Sequence, residues 1–218
     1  MRAFAYLQSA SQSGNAALAF PSSNTAGNMI VVATSNISVT AVNDTQGNSY
    51  NLITAISSGP AQTQIWVALS INAGANSVTA TGLNGSGSGS SIAIIEYAVP
   101  SSFVFAGGNS SGPSGINGSN SRYQSSNEKL LIITTHDWGS AHSWTGTNLT
   151  VRETTAEAGG ETLGIGDFNT ATSTTSTIST LNGGGTASCS CSLINFIMGG
   201  SSTSHIQISL SDPLVVTE

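Results

Sequence analysis

The densest run of side chains able to do chemistry is His136-Asp137-Trp138-Gly139-Ser140-Ala141-His142-Ser143-Trp144. Two imidazoles and a carboxylate can hold Zn²⁺, or act as a base and its orienting partner. The six-residue step from His136 to His142 fits no standard metal site, and a third ligand is missing. The segment therefore reads as a strand-end loop with local packing. Trp138 and Trp144, with Tyr123, also offer aromatic faces of the kind that stack on sugar rings. Glu153, Glu157 and Glu161 suggest paired catalytic carboxylates, but VRETTAEAGGE reads as a strand end and a solvated loop. Asp44, Asn43 and Asn48 could offer oxygens to Ca²⁺, and a hairpin turn accounts for the same residues. Cys189 and Cys191 would share one face of a strand. A disulfide between them would close a small strained ring, so two buried thiols are the plainer account. With no other cysteine, a thiolate metal site lacks its remaining ligands. The chain is expected not to be an enzyme and to use no catalytic residue, metal or cofactor.

Composition narrows the partners. The 218 residues include only four basic ones, Arg2, Arg122, Lys129 and Arg152, and the net charge is −6. Neutralising a phosphate backbone or an anionic membrane surface needs clustered cations, so neither nucleic acid nor a membrane surface is expected. No apolar run reaches the ~20 residues that span a bilayer, so membrane insertion is not expected either. Charged residues make up 6% of the chain, while 38 serines and 25 threonines supply its polarity. Solubility rests on hydroxyls and amides.

Stepping along the chain, no helical period of 3.6 survives. Short β-branched runs recur between Gly, Asn, Ser and Pro, the pattern of a sandwich or barrel. Strands are predicted over 3–8, 16–20, 29–34, 38–43, 49–57, 63–70, 77–81 and 91–98. A second set is predicted over 129–136, 147–154, 161–168, 175–180, 189–198 and 205–210, with a short candidate over 213–217. Asn43–Asn48 reads as a tight hairpin turn, with Gly47 free to take positive φ. Residues 84–90 read as a surface loop and 107–121 as a polar connector.

The two halves are weakly alike. Asn28-Met29-Ile30-Val31-Val32-Ala33 matches Asn127-Glu128-Lys129-Leu130-Leu131-Ile132-Ile133, and the strand Ile92–Tyr97 matches Ser192–Ile197. The predicted fold is all-β: an antiparallel, jelly-roll-like β-sandwich built from two weakly similar halves. Residues 1–198 form one sandwich from halves 1–106 and 107–198, and 199–218 form an extended C-terminal strand and tail.

Several strings resemble a family of bacterial secreted β-sandwich domains, duplicated and rich in Ser, Thr and Gly. They are AFPSSNTAGNMIVVA, VNDTQGNSYNL, IWVA, AGANSVTAT and SIAIIEYA, and a second half beginning at Glu128 also fits. The resemblance covers roughly residues 3–198. It implies an extracellular or cell-surface location and a likeness to subunits of extracellular filaments. It carries over no catalytic residue.

Six N-glycosylation sequons occur, of which Asn84, Asn109, Asn117, Asn148 and Asn36 are the candidates, with Asn84, Asn109 and Asn117 placed in loops. The sixth, Asn43, falls in the hairpin. The termini suggest assembly. After Gly199-Gly200, the run His205–Leu210 alternates with period two, placing Ile206, Ile208 and Leu210 on one side, and Leu214 and Val216 follow Pro213. Such a tethered strand can add to a neighbour's sheet edge and build a fibre. Phe4 and Tyr6, in a first strand followed by a 9–15 linker, could do the same. The expectation is a filament or surface subunit that polymerises with itself by exchange of a terminal strand. The alternatives are a carbohydrate-binding or adhesive module using Trp138 and Trp144, with glycans as partners, and a viral capsid or tail component.

Overall fold

A computed structural model describes residues 4–14, 17–35, 38–58, 61–83, 90–100, 103–109, 119–124, 128–138, 142–147, 149–156, 162–168, 174–182 and 188–198. The strands of half 1 are β1 (Ala5–Ser13), β2 (Leu18–Ala19), β3 (Met29–Thr34), β4 (Ala41–Asp44), β5 (Asn51–Ser58), β6 (Ala61–Leu69), β7 (Ser77–Thr81) and β8 (Ser91–Ala98). Half 2 contains β9 (Phe103–Asn109), β10 (Ser119–Gln124), β11 (Glu128–Trp138), β12 (His142–Thr147), β13 (Thr150–Ala156), β14 (Thr162–Phe168), β15 (Thr174–Asn182) and β16 (Ser188–Met198). The protein is an all-β antiparallel sandwich of jelly-roll type, built from two similar halves.

In half 1, β1 pairs with β8, β2 with β7 and β3 with β6. The front of the unit thus folds back antiparallel on its rear, and the long hairpin rolls into two sheets. One sheet has the order β1-β8-β3-β6-β5, the other β2-β7-β4. Half 2 repeats the scheme as β9-β16-β11-β14-β13 and β10-β15-β12. Each half is thus an eight-stranded roll of two sheets.

The repeat holds to the residue. Val31 lies opposite Val67 and Ile95, and Ile132 lies opposite Asp167 and Ile194. Register shifts recur at equivalent places: Leu52/Thr54 on β5 and Val151/Glu153 on β13. Another pair lies beside Tyr6 on β1 and Phe105 on β9. The two strand pairs matched by sequence, 29–33 with 130–133 and 92–97 with 192–197, fall on β3/β11 and β8/β16.

Some expectations are corrected. The connector expected over 107–121 holds the end of β9 and the start of β10, whose hydroxyl- and glycine-rich residues gave no β signal. Position 106/107, the division expected between the halves, lies within β9, which pairs with β16. Ser9–Ser13 continue β1 rather than forming a linker, because their backbone pairs with Ile95 through Ser91.

The five-stranded sheet of half 1 is covered on both faces. Met29, Val31, Ile65, Val67, Ile95 and Tyr97 pack toward Leu130, Ile132, Leu163 and Ile165 of half 2. Their alternates Ile30, Val32, Trp66, Ala68, Ile92 and Ile94 pack toward Val42, Val78 and Ala80 of the three-stranded sheet. Burial on both faces is why β3 and β8 read as unbroken apolar runs. β7 has one buried face and alternates.

The turn after β7 depends on Gly82, whose φ of +94° strains any L side chain. A Cβ there would sit 2.4 Å from the Ser38 carbonyl oxygen. Gly82→Ala is expected to destabilise the fold by about 2–4 kcal/mol, read from the denaturant midpoint. The turn also delivers Leu83 into the core, so an unchanged midpoint would show that the loop moves freely.

Candidate functional site

Charge is scarce here, so the places where it is buried are informative. Four carboxylates organise the regions that could act in binding or assembly, and two of them, Glu96 and Glu153, hold β1.

The first is Glu96, in the apolar strand β8 and only 1% exposed. Its carboxylate accepts from Asn28 Nδ2 (2.6 Å), Gln8 Nε2 (2.6 Å), the Thr25 backbone N–H (2.9 Å) and Asn24 Nδ2 (2.7 Å). Burial pushes its pKa up, but the bonds from Asn28, Gln8, Thr25 and Asn24 outweigh that and hold it below the ordinary carboxylate range. The Gln8 amide is oriented by the Ser22 backbone N–H, which donates to Gln8 Oε1 at 3.0 Å. Its NH₂ must then face Glu96. A one-residue slip of β1 would remove Gln8 from this socket, so the cluster sets register.

The second and third lie on the seam between the halves, where β1 packs beside β13. Asp167 is 1% exposed and accepts from Tyr97 of half 1 at 2.6 Å. It is also gripped by Arg152 through Nε at 2.7 Å and Nη2 at 3.1 Å. Burial and the Asp167 charge both raise the Tyr97 pKa, which keeps that hydroxyl a donor. The Arg152 guanidinium also lies 4.1 Å from the centre of the Tyr6 ring, a cation–π contact. Glu153 accepts from Ser11 at 2.8 Å and from Ser9. Ser9 spends its one proton on Glu153, so the Tyr6 hydroxyl, 2.9 Å away, donates to Ser9. The register shift at Val151/Glu153 lets the adjacent residues Arg152 and Glu153 both meet β1. Glu153 is thus a strand residue bonded across the seam, not part of a solvated loop. Glu157 and Glu161 lie outside the described residues.

Asp44 organises a turn. It accepts backbone N–H groups of Gln46 and Asn48 on one oxygen, and Asn48 Nδ2, Tyr50 Oη and Asn76 Nδ2 on the other. The Asn72 backbone N–H donates to Asn48 Oδ1. Ser77 N–H donates to Thr45 Oγ1, which must then donate to Asn76 Oδ1. Both amides consequently turn their NH₂ groups to Asp44. That arrangement serves an acceptor at a turn and opposes a Ca²⁺ ligand set, while Asn43 is exposed on β4. The turn is not the hairpin expected over 43–48, because β4 pairs with β7 and β5 with β6, so it carries the chain from one sheet to the other.

The other sequence-expected residues fall as follows. Phe4 is buried between the halves and Tyr6 packs against the same core. His136 and Trp138 end β11, whereas His142 and Trp144 lie on β12 in another sheet. The expected loop is therefore two strands, and Trp138 pairs with Ser188 while Trp144 pairs with Thr180. Cys189 and Cys191 sit on β16 opposite Asp137 and Thr135. Asn109 is the last residue of β9, paired with Leu193, rather than a loop residue. Ile206, Ile208, Leu210, Leu214 and Val216 lie outside the described residues, as do Asn36, Asn84, Asn117 and Asn148.

Sequence reading missed Gln8, Glu96, Tyr97, Arg152 and Asp167. The available signal was Glu96 within SIAIIEYA and Asp167 within LGIGDF: a lone acid in an apolar strand must be paired. No family model matches the chain, and neither any curated protein nor any solved structure matches it.

Proposed function

We propose that the protein is a structural subunit of an extracellular filament or surface assembly, joined head-to-tail by exchange of a terminal β-strand. The observation that carries this reading is the character of the sheet edges. Sheets of monomeric proteins guard their edges with lysines and charges, because an open edge invites another strand. Among the described strands, β1, β2, β4, β5, β9, β10, β12 and β13 are the edges, and none carries a lysine. The chain's single lysine, Lys129, is on the inner strand β11. Arg122 and Arg152 are the basic residues on edges, and Arg152 turns inward to Asp167. Extending β1 through Ser13 removes the slack the N-terminal strand needs for donation. The C-terminal segment, with Ile206, Ile208, Leu210, Leu214 and Val216 behind Gly199-Gly200, is therefore the donor.

Negative-stain images of the full chain are expected to show filaments, and a version ending at Gly200 is expected to show none. A full chain that forms no filament at high concentration would sink the proposal.

A further inference from the structure

The faces that hold the two halves together are complementary but not alike. On one side of the seam, Tyr97 donates to Asp167, Arg152 covers Tyr6, and Ser9 and Ser11 donate to Glu153. By register, Val67 of half 1 corresponds to Asp167, Ile53 to Arg152 and Thr54 to Glu153. If half 1 packed against another half 1, Tyr97 would meet Val67's position and its buried hydroxyl would lose its acceptor. Buried donors without partners are strongly disfavoured. The seam therefore selects half 1 on half 2, a heterologous contact. Nothing in it requires the two halves to come from one chain.

The link between the halves bears on that choice. Ala98 ends β8 and Phe103 starts β9, so five peptide units join them, a reach of at most about 18 Å. β8 lies across the seam from β13 and β14, and β9 is the third strand beyond β14 in its sheet. The crossing is about 10 Å between layers and about 14 Å sideways, or about 17 Å in all. Little of the reach is spare, and Pro100 stands within it. Short hinges favour exchange of domains between copies.

We infer that in the assembled protein the seam between the halves is made between copies, with half 1 of one copy seated on half 2 of a second copy of this chain. A reciprocal exchange preserves every bond named above and makes a two-chain unit. This rests on reading the protein as a self-assembling subunit. It supplies the unit that the C-terminal strand then joins to the next.

The test uses the full chain with Ser11→Cys and Glu153→Cys, and with Cys189→Ser and Cys191→Ser to remove competing thiols. The pair is closed with a short bis-maleimide and the product is run on a denaturing gel. Covalent dimers are expected. Inserting about eight Gly/Ser residues after Pro100 relaxes the link. It then offers an effective concentration on the order of millimolar, so at about 10 μM protein self-pairing should win by about a hundredfold and covalent monomers replace the dimers. Covalent monomers from the native link overturn the inference, and so does a dimer yield indifferent to the insertion. Filaments built of covalent monomers overturn the exchange and leave the filament proposal standing. Covalent dimers with no filaments do the reverse.

Discussion

Asp167→Ala is expected to lower stability by about 3–5 kcal/mol, because it leaves a largely buried guanidinium and a buried hydroxyl without their acceptor. In a chain of this size that is a fall in melting temperature of roughly 10–15 °C. Asp167 is nearly inaccessible and takes three hydrogen bonds, one from Tyr97 across the seam and two from Arg152 beside it. Tyr97→Phe removes one donor and should cost only about 1–2 kcal/mol. The double change Asp167→Leu with Arg152→Met removes both charges and keeps volume. It should recover the part of the loss due to the stranded charge, since a buried ion pair seldom outperforms apolar packing, while the Tyr97 hydroxyl still lacks its acceptor. Calorimetry on the parent chain, Asp167→Leu, Arg152→Met and the double variant closes the cycle. Should the double variant be as unstable as Asp167→Ala, the loss would come from the Tyr97 hydroxyl and the packing around the Tyr6 ring and not from the stranded charge.

Glu96→Ala should cost a similar amount, about 3–5 kcal/mol, for a different reason. Among the described residues no cation balances this carboxylate. Four N–H donors do, and alanine would leave the Gln8, Asn24 and Asn28 amides and the Thr25 N–H facing a void. Because Gln8 belongs to β1 and the others to the 24–28 segment, hydrogen exchange should rise in both, and first in β1. Glu96→Gln keeps one acceptor oxygen but turns an NH₂ toward other NH₂ groups, so an intermediate loss is expected. The carboxylate also makes stability depend on pH. Its native pKa lies below the ordinary value of 4.5, so its contribution is complete above that value and disappears as pH falls through the native one. The denaturant midpoint of the native sequence should therefore drop in acid more steeply than that of Glu96→Gln. Parallel profiles would assign the acid sensitivity to other carboxylates such as Asp44, whose pKa is lowered in the same direction.

Much of the fold was legible along the chain. MIVVAT, SVTAT and SIAIIEYA were bounded at the residues where β3, β7 and β8 begin and end. Apolar β-branched runs between Gly and Asn leave few other local solutions. The likeness of 29–33 to 130–133 also anticipated the repeat. Where the apolar signal faded, so did the reading. SNSRYQ and HSWTGT form β10 and β12 because β15 pairs with both, and a pairing partner is not a local property.

The chemistry-bearing residues behaved differently. Their types and rarity were visible at once: ten acids and four bases in 218 residues. That scarcity, with the hydroxyl-rich composition, is the ground for expecting no partner that needs a basic surface. Spacing drew attention to His136–Trp144, yet β11 and β12 carry the two ends of that run into separate sheets. Meanwhile Tyr6, Tyr97, Arg152 and Asp167, spread over more than half the chain, meet on one seam. By itself, then, the sequence determined the β class, the duplication and the scarcity of charge, because these follow from composition and short-range pattern. Only the tertiary structure decided which rare charges are buried together and that the two rolls meet through unlike faces. Those outcomes depend on sheet order and register, which arise from contacts between residues far apart in the chain.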